Sequence, residues 1–127
     1  MLRIHEVSLP DGGLEETCLS SNGDALGVHV GGALIGTLPV SAIDVVMARY
    51  AKPLSEGIAV EGPSLTLAGG RVLCMLRHRA RYDVIARDFL VISAPGAEPL
   101  AELATSVTAA LVHLARAAAA AAAAAGR

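Results

Sequence analysis

The stretch Arg71-Val72-Leu73-Cys74-Met75-Leu76-Arg77-His78-Arg79 decides the fold. Val72, Cys74, Leu76 and His78 fall on one side of it and Leu73, Met75, Arg77 and Arg79 on the other, which is the two-residue period of a β-strand. Residues 82–93, rich in β-branched and aromatic side chains, form the next and longest strand, stopped by Ala94-Pro95-Gly96. Upstream, residues 64–68 and 58–61 are shorter strands, punctuated by Gly62-Pro63 and Gly69-Gly70. Connections this short leave no room for the crossover that parallel strands need, so the sheet is antiparallel.

The first half of the chain repeats the pattern. Residues 2–7, 14–20, 26–30 and 33–38 are four more short strands, separated by Pro10-Asp11-Gly12-Gly13, Asn22-Gly23-Asp24 and Gly31-Gly32. A helix follows, where Ser41 and Asp44 have the spacing of a capping box and Ile43, Val46, Met47 and Tyr50 make one apolar stripe. Lys52-Pro53 ends it. The second helix begins near Pro99, with Glu98 and Glu102 at the positive end of its dipole and an apolar stripe of Leu100, Leu103, Val107, Leu111 and Leu114. The expectation is an α+β fold, a mainly antiparallel sheet of short strands with two helices in the order ββββα-ββββα. Residues 31–39 leading into the first helix parallel residues 87–95 leading into the second, the mark of an internal repeat with few identities.

This topology resembles that of the Whirly and PUR-type single-strand binders. None of their basic and aromatic recognition pattern is present, so the resemblance carries no residue across.

At 127 residues the chain has the size of one domain, and 54% hydrophobic residues exclude disorder of the whole. Residues 1–116 are expected to form that α+β domain and residues 117–127, nine of them consecutive alanines, a helical extension or tail. The net charge of −2 is not that of a dedicated nucleic-acid binder, but it is unevenly spread. Residues 1–70 carry eight acidic and three basic side chains, residues 71–127 four acidic and seven basic. Halves of opposite sign favour packing of one on the other, or contact between copies.

The candidate binding residues are Arg77, Arg79 and Arg81, which step by two along one strand face, with Arg71 and Arg87 near them in sequence and Tyr82 as a stacking partner. Such a row suits an acidic protein surface, above all that of a second copy in a homo-oligomer, with a nucleic-acid backbone as the alternative. Only three aromatic residues are present, too few for a stacking platform. His5, His29, His78 and His113 stand in four separate segments, and Cys18 and Cys74 lack any neighbour at ligand spacing, so no metal or other cofactor is implied. The Gly-Gly pairs lack the context of a phosphate loop, and no catalytic constellation emerges. The N-terminus does not read as a signal peptide, and the apolar C-terminal stretch is interrupted by Glu102, His113 and Arg116, so cytoplasmic residence without a membrane is expected. A non-catalytic oligomeric protein-binding module is the leading expectation, a single-strand nucleic-acid binder the second, and a small-ligand protein or enzyme with a site formed only in the fold or between subunits the third.

Overall fold

Tight turns set the first sheet. In the computed structural model, which describes residues 1–53, 62–78 and 87–126, strands β1 (Leu2–Ser8), β2 (Leu14–Asn22), β3 (Ala25–Val30) and β4 (Ala33–Pro39) pair in chain order as an antiparallel meander. Gly31 and Gly32 both hold positive φ, 58° and 84°, so the link from Val30 to its partner Ala33 is a two-residue turn whose twist matches the flanking strands. Helix α1 (Ser41–Tyr50) follows directly. The second sheet contains β5 (Lys52–Pro53), β6 (Ser64–Thr66), β7 (Val72–His78), β8 (Arg87–Ser93) and β9 (Leu100–Leu103), in the spatial order β5-β9-β8-β7-β6 and again antiparallel. Helix α2 (Ala104–Ala125) closes the chain. The fold is α+β, two antiparallel sheets of short strands with two helices, and a four-strand meander leading into a helix occurs twice.

Several local expectations need correction. The second helix does not start near Pro99: Leu100–Leu103 is strand β9, paired with β8, and α2 starts at Ala104. The pairing satisfies the open edge of β8, which outweighs a proline and two glutamates suited to a helix start. The counterpart of β4 is therefore β9 and not residues 87–95. Ser41 does not cap α1 either, because the residue before the helix, Val40, is itself in the αR region and no side-chain cap bond forms. Asp44 instead pairs with Arg71. Lys52-Pro53 ends α1 but also pairs as a short strand with Leu100 and Ala101. The strand expected over residues 58–61 and the first part of that over 82–93 lie outside the described residues, as does the side chain of Tyr50.

One hydrophobic cluster joins both sheets and both helices, with Leu2, Ile4, Leu19, Leu26, Val28, Ile43, Met47, Leu73, Leu90, Val107 and Leu111 at its centre. Helix α2 packs most extensively on β4, and it also touches β1, β3, β8, β9 and α1. Since β1 and β4 are the two edges of the first sheet, that sheet curls around the helix. The buried line of α2 is Ala104, Val107, Thr108, Leu111 and Ala115. Val107 and Leu111 of the expected stripe lie on it, whereas Leu100 and Leu103 belong to β9 and Leu114 packs on the flank. Close approach to β4 requires small side chains along the contact line. The alanine run continues helical to Ala125 with little burial. By length and composition alone α2 matches a membrane span, although its first three turns are built into the core.

Thr108 Oγ1 is buried without a hydrogen-bond partner among the described residues. Its hydroxyl costs desolvation and returns nothing, so Thr108→Val is expected to raise the unfolding free energy by up to about 1 kcal/mol in urea denaturation. A loss of stability would mean that the hydroxyl has a partner.

Candidate functional site

A β-bulge shapes one wall of the site. Between Arg3 and His5 the register of β1 on β2 slips, so Arg3 faces Cys18 while His5 faces Thr17. After the slip His5 and Val7 share one face with Thr17 and Glu15. Arg3 Nη1 reaches Glu6 Oε2 at 2.8 Å and Glu16 Oε1 at 3.5 Å, a surface triad near the bulge.

The other wall comes from the second sheet. Arg77 and Asp88 are direct cross-strand partners on β7 and β8, and the guanidinium lies side-on to the carboxylate, Nε to Oδ1 at 2.9 Å and Nη2 to Oδ2 at 3.4 Å. The hydrogen bond to Asp88, reinforced by its charge, pushes the Arg77 guanidinium further up, so it stays protonated at any working pH. Because Leu73 and Met75 share its strand face, Arg77 continues the inward face of β7 and stands at the mouth of the gap between the sheets.

Two hollows of about 300 and about 490 Å³ open along this gap and share His5, Glu6, Arg77 and Asp88. The first adds Arg3 and Met75, and the second adds Arg87, Leu103 and Thr105 at the β9–α2 junction. The result is a cleft in which cations and carboxylates interleave.

The structure brings Arg77 and Arg87 together here and leaves Arg71 apart. Arg71 precedes β7 at its opposite end, about 20 Å away at about 3.3 Å per residue. There its guanidinium bonds Asp44 on α1, and its Nε donates to the Ala68 carbonyl at 3.2 Å. That ion pair ties α1 to the turn before β7 and is only partly exposed, 22% at Arg71 and 46% at Asp44. After allowance for solvent screening, Arg71→Ala is expected to lower stability by about 1 kcal/mol. A double-mutant cycle with Asp44→Ala that shows no coupling would contradict this. Arg79, Arg81 and Tyr82 lie outside the described residues.

Pairing of the arginine row with Asp88 was readable in the sequence and is present at Arg77, but sequence reasoning missed the cleft positions of His5 and Glu6, and also a hydrogen bond of 2.8 Å between Ser20 Oγ and His29 Nε2 across β2 and β3. Gly27 makes room for it, since a Cβ there would collide with the Ser20 hydroxyl. Once the turn fixes Asn22 opposite Ala25, Ser20 and His29 become diagonal neighbours, so the hairpin register was the available signal. The bond satisfies two half-buried polar groups. Among the described residues no ion pair joins a carboxylate to His29, and no group of three His, Cys, Asp or Glu side chains is placed to hold a metal.

Cys18 and Cys74 are free and half-buried. Burial pushes both thiols above their ordinary value, and at Cys18 the Glu16 charge adds to it. A raised thiol pKa keeps the native state protonated where the unfolded chain ionises, so their contribution to stability is complete below about pH 8.5 and is lost as pH rises above it. At neutral pH both thiols are expected to alkylate more slowly than a free cysteine, measured against the unfolded chain. Faster alkylation in the native state would contradict the shift.

No family model, no curated protein and no solved structure matches this chain.

Proposed function

We propose that the chain is a non-catalytic, oligomeric protein-binding module and that the cleft between β1 and the β7–β8 pair is its binding surface. One observation carries this: two of the three arginines that line the cleft come with their own carboxylates, Arg3 with Glu6 and Glu16 and Arg77 with Asp88, while Arg87 is exposed. A protein surface of mixed charge can exchange partners with such a cleft pair by pair. A polyanion would instead meet three carboxylates beside the arginines and a chain of net charge −2, so its binding would be weak and strongly salt-dependent. The hollows are large enough for a small ligand, but their walls are charged and open where such pockets are mostly apolar.

The test replaces Arg77, Arg79 and Arg81 together by serine. Subunit mass is measured by light scattering and single-stranded oligonucleotide binding by anisotropy, near physiological ionic strength. Reduced mass with no oligonucleotide binding in either form supports the proposal. Unchanged mass with submicromolar oligonucleotide binding that the replacement abolishes would overturn it in favour of nucleic acid.

A further inference from the structure

The cleft has an acidic and apolar neighbour on its own rim. Beyond His5 and Thr17, the same face of the first sheet continues to Val7 and Glu15, about 7 Å further along β1 at about 3.4 Å per residue. The hairpin that carries them, β1 to β2, is closed by Leu9 N to Gly13 O at 2.7 Å and by Asp11, whose carboxylate accepts from Gly13 N at 2.8 Å. It is therefore a closed turn with an exposed end. Val7 and Leu14 on it are 44% and 54% exposed, Glu15 is exposed, and none of the ion pairs among the described residues involves Glu15. On the cleft side Arg87 is exposed beside Leu103 and Thr105.

We infer that the partner in this cleft is a second copy of the chain, which inserts its β1–β2 hairpin so that Glu15 of each copy meets Arg87 of the other. This rests on the protein-binding reading above and adds the partner and its contact segment. Three features argue for it. The two patches have opposite charge, a carboxylate in none of the ion pairs among the described residues and an exposed guanidinium, which together can form the bidentate pair that arginine favours. Both patches carry apolar surface, Val7 on one and Leu103 on the other, which helps to exclude water from the contact. His5, two residues before Val7, lines the same hollow as Arg87, so the two patches lie at one end of the cleft, and a two-fold axis there makes each copy give and receive the same contact. Such an arrangement closes as a dimer and leaves no open end to propagate a chain.

The experiment is a charge exchange. Subunit mass and dissociation constant are measured by analytical ultracentrifugation for the unmodified chain, Glu15→Arg, Arg87→Glu and the double variant, with circular dichroism confirming that each folds. Both positions are exposed, so folding is expected to survive. Each single variant breaks both symmetric pairs and is expected to raise the dimer dissociation constant about tenfold or more, while the double variant recovers to within about threefold of the original. Single variants that leave the dimer intact, or a double variant that fails to recover, would overturn the hairpin placement while leaving the oligomeric module standing. A monomer for the unmodified chain at tens of micromolar would overturn both.

Discussion

Gly36→Ala is expected to lower the unfolding free energy by about 3 kcal/mol, and Gly36→Val by more. Gly36 lies in β4 opposite Val28, where the strand runs directly against Ala115 of α2. A Cβ at this position would run into the backbone carbonyl of Ala115 and come within 3.1 Å of its methyl group. A flexible side chain could swing aside, but a carbonyl held in a helical turn cannot. The helix must then lift from β4, and since it also touches β1, β8, β9 and α1 the displacement opens contacts on both sheets. The backbone itself is not the obstacle, because Gly36 is not among the positive-φ glycines. Gly12→Ala is the control: at φ 86° with open space around it, it reports conformational strain alone, about 1 kcal/mol. Urea denaturation of the two variants separates the terms. A Gly36→Ala protein as stable as the parent would show that the helix and the strand are not in backbone contact.

That close approach explains which parts of the fold were legible in the sequence. Strand β7 was readable because its alternation is local, and Ile43, Val46 and Met47 were readable because a helix of ordinary packing buries its largest residues. Helix α2 was readable as a helix and only in part in its buried face, at Val107 and Leu111. Its buried line contains Ala104, Thr108 and Ala115, because a glycine on β4 draws the backbone in and large side chains no longer fit there. Pro99, Glu98 and Glu102 pointed to an earlier helix start, and the unsatisfied edge of β8 prevailed over them. The cleft was least legible of all. His5 stands on β1 and Asp88 on β8, in different sheets, and no period or spacing in one chain predicts that two sheets will meet there. The bulge that turns His5 toward Arg77 arises from the pairing of β1 on β2, a long-range property with no signature in the residues 2–8 themselves.

Leu111→Ala tests the same assignment from the helix side and is expected to cost about 2–5 kcal/mol, in the upper part of that range. Leu111 is fully buried in α2 and belongs to the cluster that contains Leu2, Leu26, Leu73 and Leu90. The cost of such a truncation depends on how far the surroundings collapse into the space left behind. Here the walls belong to two hydrogen-bonded sheets and a second helix, and closing the cavity from one side opens it on the other. Domains of this size are stable by about 5–15 kcal/mol, so a third or more of the total is at stake. Leu114→Ala supplies the contrast, since Leu114 is only partly buried and its truncation should cost about 1–2 kcal/mol. If the apolar stripe read from side-chain size alone defined the buried line, the two variants would be equally destabilised. Guanidinium denaturation of both decides between the alternatives, and equal costs would place Leu114 in the core beside Leu111.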